Sequence, residues 1–583
     1  MTRTRPTLLG RLVARLHRSS RSCGPAPGDR GAAMVTVLGT VMVLTLLVGG
    51  TLAYAAAGQS SARGGQDWNA ALAAAEAGVD DYTARLNDQP AYWRYGNPAA
   101  PFSAGSSVAL PTPANRAFTE WVTVPGSDGR ARFRYEVDTR QFPTSGVVRL
   151  QSTGAVGREV RTVQVTLDQR GFLDYLYFTD YETKDPDAYT GNGEYTPEQA
   201  RANCMKHFYE GRQDRVGSDA RPTPTPDPPP GCSVIRFVSG DELWGPMHSN
   251  DAVYVCGQPD LNEGATTSYD GSLTDGRHYL VQSGCTNTWP EDETGTQIDL
   301  GLEPHLALPP SNTALAVQTD VTATDGQPGC LYTGPTKIVL RPDGLMDVTS
   351  PWSRNGGAAW CGVGAGRPLP ARGVVWVRDV PAVADAYSQA APTSPCTAGG
   401  NPVGYPVAED LTSYGCRSGD VFVQGALQGR LTVGAANDIV ITDDLTYAAA
   451  GCTATPSCQS VLGLVANNYV EIYHPVRCFE KDGGCDVVGH MYGVRVEAAI
   501  LAVNHSFRVQ NFWAGDSKGD LHVRGAIGQK FRGVVGQGIA GYSKDYRYDA
   551  RLRTVSPPYF LDPVQSAFAV RTWSEQTSAH PLP

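Results

Sequence analysis

A chain of 583 residues that is 41% hydrophobic is long enough for more than one core, and 65 Gly, 42 Pro and only 18% charged residues favour turn-rich β structure over helix bundles. The net charge of −10 is uneven: residues 1–31 hold seven Arg and one Asp, about +6, so the remainder is near −16. That acidic remainder excludes general binding along a nucleic-acid backbone and describes a soluble, acidic surface.

Residues 1–31 form a basic leader with Arg3, Arg5, Arg11, Arg15, Arg18, Arg21 and Arg30. A positive flank before an apolar run is a cytoplasmic topology signal. Residues 32–62 carry no charge, and Ala33 to Ala57 exceeds the roughly 20 residues that span a bilayer. The expected partner is the lipid bilayer, crossed once, with the amino terminus cytoplasmic and the body outside. Gly39, Gly49, Gly50 and Gly58 lower helicity but permit close helix contacts. Beyond the span, Trp68, Leu72, Ala75, Val79, Tyr82 and Leu86 follow a heptad-like spacing, and Asn87-Asp88-Gln89-Pro90 ends it. Residues 32–89 therefore predict one helix, about 80 Å long. An ordinary secretory signal cut near Ala53-Tyr54-Ala55 is the rival reading, against which the long leader and the seam both count.

Residues 90–170 predict a small β-rich segment, with alternation in Ala131–Val137, Gly146–Leu150 and Arg161–Leu167. With the helix, these strands make a small α+β head. Residues 171–231 read as an irregular loop ending in the Pro-rich run Arg221–Pro230, which cannot hold a sheet ladder. Residues 232–560 alternate short apolar strands with Gly, Asn and Asp turns, among them Ala252–Val255, Asp420–Val423, Asp438–Ile441, Tyr469–Ile472 and Ala498–Val503. Many strands and almost no amphipathic helix predict a mainly β fold, a β-solenoid, with a jelly roll or β-sandwich as the alternative. Lys544 to Phe560 is expected to cap the end of that domain, and 561–583 to be a tail.

Cys23 lies in the leader. The others are Cys204, Cys232, Cys256, Cys285, Cys330, Cys361, Cys396, Cys416, Cys452, Cys458, Cys478 and Cys485, an even set on one side of the apolar helix with no CxxC zinc spacing. An oxidising compartment and up to six disulfides follow, with nearest neighbours the favoured pairs and connectivity left open by spacing alone.

No cofactor or metal is expected. His248, Asn250 and Asp251 share a turn and suit local hydrogen bonding. His474, His490, His505 and His522 show no ligand spacing. Asp438, Asp443 and Asp444 would be the residues to test for a β-helix polysaccharide lyase or hydrolase, although Asp443-Asp444 falls where a strand is expected to end in a turn. GxSxG and the phosphate-binding loop are absent, so no catalytic residue is assigned and any assembly motor is another protein.

Gly31-Ala32-Ala33-Met34-Val35, the apolar run after it and Ala73-Ala74-Ala75-Glu76-Ala77-Gly78-Val79 resemble the PilX-like amino-terminal segment of type IV pilus assembly proteins. The resemblance covers about 60 residues and implies cleavage by a prepilin peptidase after Gly31, leaving Ala32 first in the mature chain. Many major pilins carry Glu at the fifth mature position, where this chain has Thr36. A buried carboxylate there is costly unless a neighbouring subunit's ammonium meets it. A subunit with none beyond it needs no such carboxylate, so Thr36 points to a minor, tip or priming pilin. Gly245–Asp251 with Val253–Val255, and Asn437–Thr442 with Leu462–Asn468, resemble rungs of pilus-associated β-solenoid proteins. The implied partners are the peptidase, other pilins and the assembly machinery, with an unknown surface ligand. The expected function is a membrane-anchored pilin-like component displaying its body for filament priming or adhesion. Its alternatives are the secreted polysaccharide enzyme and an anchored binding module outside any filament.

Overall fold

The computed structural model describes residues 32–104, 106, 115–142, 147–169, 171–188, 195–204, 231–271, 276–303, 305–322, 324, 326–354, 362–390, 403–405, 414–479, 485–489, 491–553, 555–561, 563, 568–577 and 580. It is mainly β, with one long helix.

Helix α1 runs from Ala32 to Asp88 without interruption. Its first part is bare: Met34–Ala55 is long and apolar enough to cross a membrane, and none of it is buried. Further on, Ala71, Ala74, Ala75, Val79, Tyr82 and Leu86 are buried on one face. That face lies on an antiparallel sheet of β1 (Val122–Thr123), β2 (Ala131–Asp138), β3 (Val148–Val156), β4 (Glu159–Gln169) and a final strand, Phe568–Gln576. The sequence reading ran the seam through Trp68 and Leu72. The structure leaves Trp68 46% exposed, with Arg161 lying over its ring at 4.6 Å, and half-buries Leu72.

The cause is close backbone approach. A Cβ on Gly154 of β3 would come within 2.2 Å of the Ala71 carbonyl oxygen, and one on Gly78 within 2.3 Å of Ser152 Oγ. Strand and helix touch where one of the two is a glycine, so short Ala71 and Ala74 line the contact at Gly154 and the bulky Trp68 stays at its rim. Below them Tyr82, Phe118 and Tyr135 interlock, with ring centroids 5.1–6.2 Å apart and near-perpendicular planes.

The rest is dominated by one 21-stranded, mostly parallel sheet. Its longest ladder starts at Cys330–Thr333 and passes through Val374–Arg378, Arg430–Ala435, Val461–Ala466, Arg495–Ala502 and Ser517–Phe531. It continues through β5 (Tyr177–Tyr181), Met247–Ser249, Ala265–Thr267 and Gly301–Leu302. The side chains align in register. Val375, Val433, Leu464, Ile500, Ile527, Tyr177, Met247 and Ala265 form one column of neighbours, all inside the largest apolar core. Each large aliphatic member adds about 1.5–3 kcal/mol on burial.

The chain does not climb this ladder in order. It enters at β5, in the middle, and moves outward to Gly301–Leu302. It then crosses along the outside, where Asn312 Nδ2 donates to the carbonyls of Ala435 and Val465 at 2.6 and 2.8 Å. From Cys330 at the opposite end it returns strand by strand to Ser517–Phe531, beside β5.

Three expectations change accordingly. Tyr177–Tyr181, placed within the irregular segment 171–231, is a central strand, because its apolar residues complete the column between Ile527 and Met247. Lys544 to Phe560 is not an end cap: Ala540–Tyr548 pairs on both sides, with Ser517–Phe531 and with Glu242–Trp244, leaving no edge to cover. The tail 561–583 holds Phe568–Gln576, which closes the head sheet against β4. The whole body is therefore inserted into the head, between β4 and its neighbour.

Disulfides join Cys204–Cys232, Cys256–Cys285, Cys452–Cys458 and Cys478–Cys485, with Cα–Cα distances of 5.0, 5.3, 5.4 and 3.9 Å. Cys330 and Cys416 are also disulfide-bonded. Cys23, Cys361 and Cys396 lie outside the described residues.

Candidate functional site

The bare half of α1 is the first candidate. Gly31, the predicted cut site, lies outside the described residues; Ala32 begins the helix, and Thr36 is exposed one turn in. Threonines do not make this surface polar. Thr40 Oγ1 donates to the Thr36 carbonyl at 2.8 Å, Thr51 Oγ1 to Val48 at 3.0 Å, and Thr45 Oγ1 to Val41. Each hydroxyl is thus satisfied within the helix and needs no water. Gly39, Gly49, Gly50 and Gly58 have nothing within 4 Å of a built Cβ.

The second is the junction where the body leaves and re-enters the head. Chain exit and return are paired partners, Gln169 and Phe568. Asn87, at the end of α1, bonds both backbone groups of Phe568. Arg571 of the final strand pairs with Asp168 of β4 at 2.5 Å and with Asp174, the first acid of the body, and donates to the Arg553 carbonyl at 2.6 Å. One guanidinium therefore binds head, exit and return together. On the other side of the head, Glu136 accepts from Phe102 N–H at 2.9 Å and pairs with His580 at 3.0 Å. Burial pushes the Glu136 carboxyl up, but these two bonds outweigh it and hold it below its ordinary value.

The polar residues singled out in the body serve the crossing segments. Asn250 Nδ2 donates to Leu306 O at 2.7 Å and to Asp180 Oδ1 at 3.0 Å, and its Oδ1 accepts from Leu306 N–H at 2.9 Å. His248, fully buried, donates through Nε2 to the same Oδ1 at 3.2 Å. Asp251 Oδ2 accepts from the Glu182 amide at 3.1 Å. Asp443 and Asp444 do not end a strand in a turn. They lie inside Ile439–Tyr447, exposed, as extra residues where the pairing with Val421–Leu427 shifts register. Asp444 Oδ1 accepts from the Arg495 amide at 2.9 Å.

Asp438 belongs to a different group. Asn437 Nδ2 donates to Asp420 Oδ1 at 2.6 Å, and Asn468 Nδ2 to Asn437 Oδ1 at 2.5 Å, one strand to the next. Burial, with Asp379 and Glu471 nearby, pushes the Asp420 carboxyl up to about 7, and burial with Glu471 and Asp420 raises Asp438 as well.

One cluster escaped sequence reasoning. Asp185, Asp187 and His505 offer ligand atoms within 4.8 Å of one another. His505 Nδ1 lies 2.7 Å from Asp185 Oδ2 and its ring stacks on Tyr469 at 4.3 Å, while Asp187 pairs with Arg201. Each member has a protein partner, which makes this a polar network tying the segment after β5 to the turn before Phe507–Val509. His505 lies more than 300 residues from the two aspartates, so no spacing announced it.

No protein-family model matches this sequence, and no curated relative matches it. Among solved structures the chain is similar to the competence-associated pilin ComZ from Thermus thermophilus, at 15% identity over 88% of this chain and 98% of that one, with a TM-score of 0.21. A likeness of that size carries no conclusion about this chain.

Proposed function

We propose that this protein is a membrane-anchored, pilin-like surface component, structural rather than enzymatic, and that its body is a β-solenoid displayed outside the cell for filament priming or adhesion. The observation that carries this reading is the divided helix. One unbroken α-helix is bare and apolar over Met34–Ala55 and buried under an antiparallel sheet from Ala71 to Leu86. A bare apolar helix needs lipid or other helices around it, and a head fixed to its far end rides on whatever the helix enters. The parallel ladders with aligned apolar columns support the solenoid, since each rung buries its inward residues only against the next.

In this reading the basic leader stays in the cytoplasm and the disulfide-bonded body faces the oxidising side. A prepilin peptidase cuts after Gly31, and Thr36 in place of a carboxylate suits a minor or tip subunit with other pilins as partners. Sequencing the mature amino terminus tests it. Ala32 as first residue is the expected result; Met1, or Ala56 from a conventional signal cut, would overturn processing as a pilin. Failure of other pilins to co-purify with the cross-linked protein would leave an anchored binding module instead.

A further inference from the structure

The strand Ala540–Tyr548 carries a lysine on its inward side. Successive side chains of a strand alternate, so Tyr542, Lys544 and Tyr546 share one face. Tyr542 and Tyr546 are buried in the largest apolar core. In register, Lys544 is the partner of fully buried Leu521, and Tyr546 is the partner of Val523 on one side and Leu243 on the other. Two residues before Leu243 stands Asp241, and Lys544 Nζ lies 3.3 Å from its Oδ1. The two side chains are only 21% and 17% exposed. An ammonium and a carboxylate therefore meet beside Leu521, Tyr542 and Tyr546, on the apolar side of the ladder.

Two opposite charges are costly to keep in such surroundings. Moving one proton from Nζ to the carboxylate removes both. Burial holds the Lys544 ammonium below its ordinary value even beside Asp241, and the Arg532 guanidinium acts in the same sense. A desolvated, neutral lysine amine is a nucleophile. The acid is held ready for it: Val238 N–H donates to Asp241 Oδ2 at 3.0 Å, while Oδ1 faces Nζ. The pairs nearby, Arg532 with Glu182 at 3.0 Å and Arg524 with Asp545 at 2.7 Å, use guanidinium groups, which stay protonated and form no amide.

We propose that Lys544 and Asp241 condense into an intramolecular amide bond. The neutral amine attacks Asp241 Cγ. The Nζ–Cγ bond forms and the Cγ–Oδ1 bond breaks. Oδ1 leaves as water, carrying the proton the carboxyl had received and one more from Nζ. Oδ2 remains as the amide carbonyl, still accepting from Val238 N–H. Nothing is oxidised or reduced. Holding amine and acid in contact makes the step intramolecular, and the apolar surroundings favour the neutral reactants and the loss of water. The disulfides described above close loops of 6 to 29 residues; this bond closes one of 303. It ties the arm that runs out to Gly301–Leu302 to the late strand Ala540–Tyr548, and unlike a disulfide it survives reduction.

Mass spectrometry of the full chain, purified in detergent, reduced and alkylated, tests this. The expected chain is lighter than its sequence by one water. After trypsin, Phe237–Arg277 is expected joined to Gly533–Arg547, with no cleavage after Lys544. Lys544→Arg, which keeps charge and reach but not the nucleophile, should restore the full mass, and so should Asp241→Ala. The wild-type peptides decide the matter by themselves, whatever the stability of the variants and wherever the amino terminus is cut. Cleavage after Lys544 with release of an unmodified Phe237–Arg277 would mean an ion pair only and would overturn the proposal. So would a water lost elsewhere while these two peptides stay unjoined.

Discussion

The Asn87 side chain faces Phe568 as one peptide unit faces another: Phe568 N–H donates to Asn87 Oδ1 at 2.6 Å, and Asn87 Nδ2 donates to the Phe568 carbonyl at 3.3 Å. The helix end thereby holds the first residue of a strand 481 positions away. Asn250 treats Leu306 in the same way. In both places one amide side chain satisfies both backbone groups of a single distant residue.

Asn87→Ala should therefore destabilise the head by about 1–2 kcal/mol, the cost of two lost bonds to a partly buried backbone. Asn87→Asp, which keeps the acceptor and loses the donor, should fall between. Hydrogen exchange of the Phe568–Gln576 amides reads the effect directly; protection equal to wild type would mean that pairing with β4 alone holds the strand.

Gly154→Ala should be among the most damaging single-methyl changes in the chain, since the new Cβ lands 2.2 Å from the helix backbone at Ala71 and Ala75. A loss of about 3 kcal/mol in thermal or denaturant unfolding of the head is expected. Gly58→Ala, with nothing within 4 Å, should instead be neutral or stabilising by up to about 1 kcal/mol. Similar effects at the two positions would contradict the packing described.

Val43→Asp and Leu46→Asp each place a charge in the bare apolar part of α1, where insertion costs about 3 kcal/mol. Alkaline carbonate extraction should move part of either variant from the membrane pellet to the supernatant. Retention of both in the pellet would argue for another mode of attachment.

Asp420 makes the body sensitive to pH. Its folded value, about 7, lies above its ordinary value, so the folded state favours the protonated form. Its contribution to stability is complete below about pH 4 and lost as pH rises through 7. Asp420→Asn, which keeps an acceptor for Asn437 Nδ2, should flatten the fall in melting temperature between pH 5 and pH 8. Parallel curves for variant and wild type would remove Asp420 as the cause.

The apolar span, the head strands and the turn-rich β body were legible because each is a local pattern: an uncharged run, alternation, and Gly and Asn turns. The place of Tyr177–Tyr181 was not, because its partners Ile527 and Met247 are set by a ladder that the chain enters in the middle. Phe568–Gln576 was invisible for the same reason; its strand partner among the described residues, β4, lies some 400 residues earlier. The heptad spacing named the right helix face but the wrong boundary, since it weighs apolar size and the contact at Gly154 selects for smallness.

The insertion of the body between β4 and Phe568–Gln576 also bears on shedding. A domain at the end of a single linker is released by one protease cut. Here a cut before β5 leaves the body covalently joined to Phe568–Gln576, still laddered to β4 and held by Arg571. A cut after Arg553 leaves it joined through Asp174 to the head and its anchor. Release requires two cuts, or one cut and the loss of a nine-residue strand, so the display of this body withstands a single proteolytic nick on either lead.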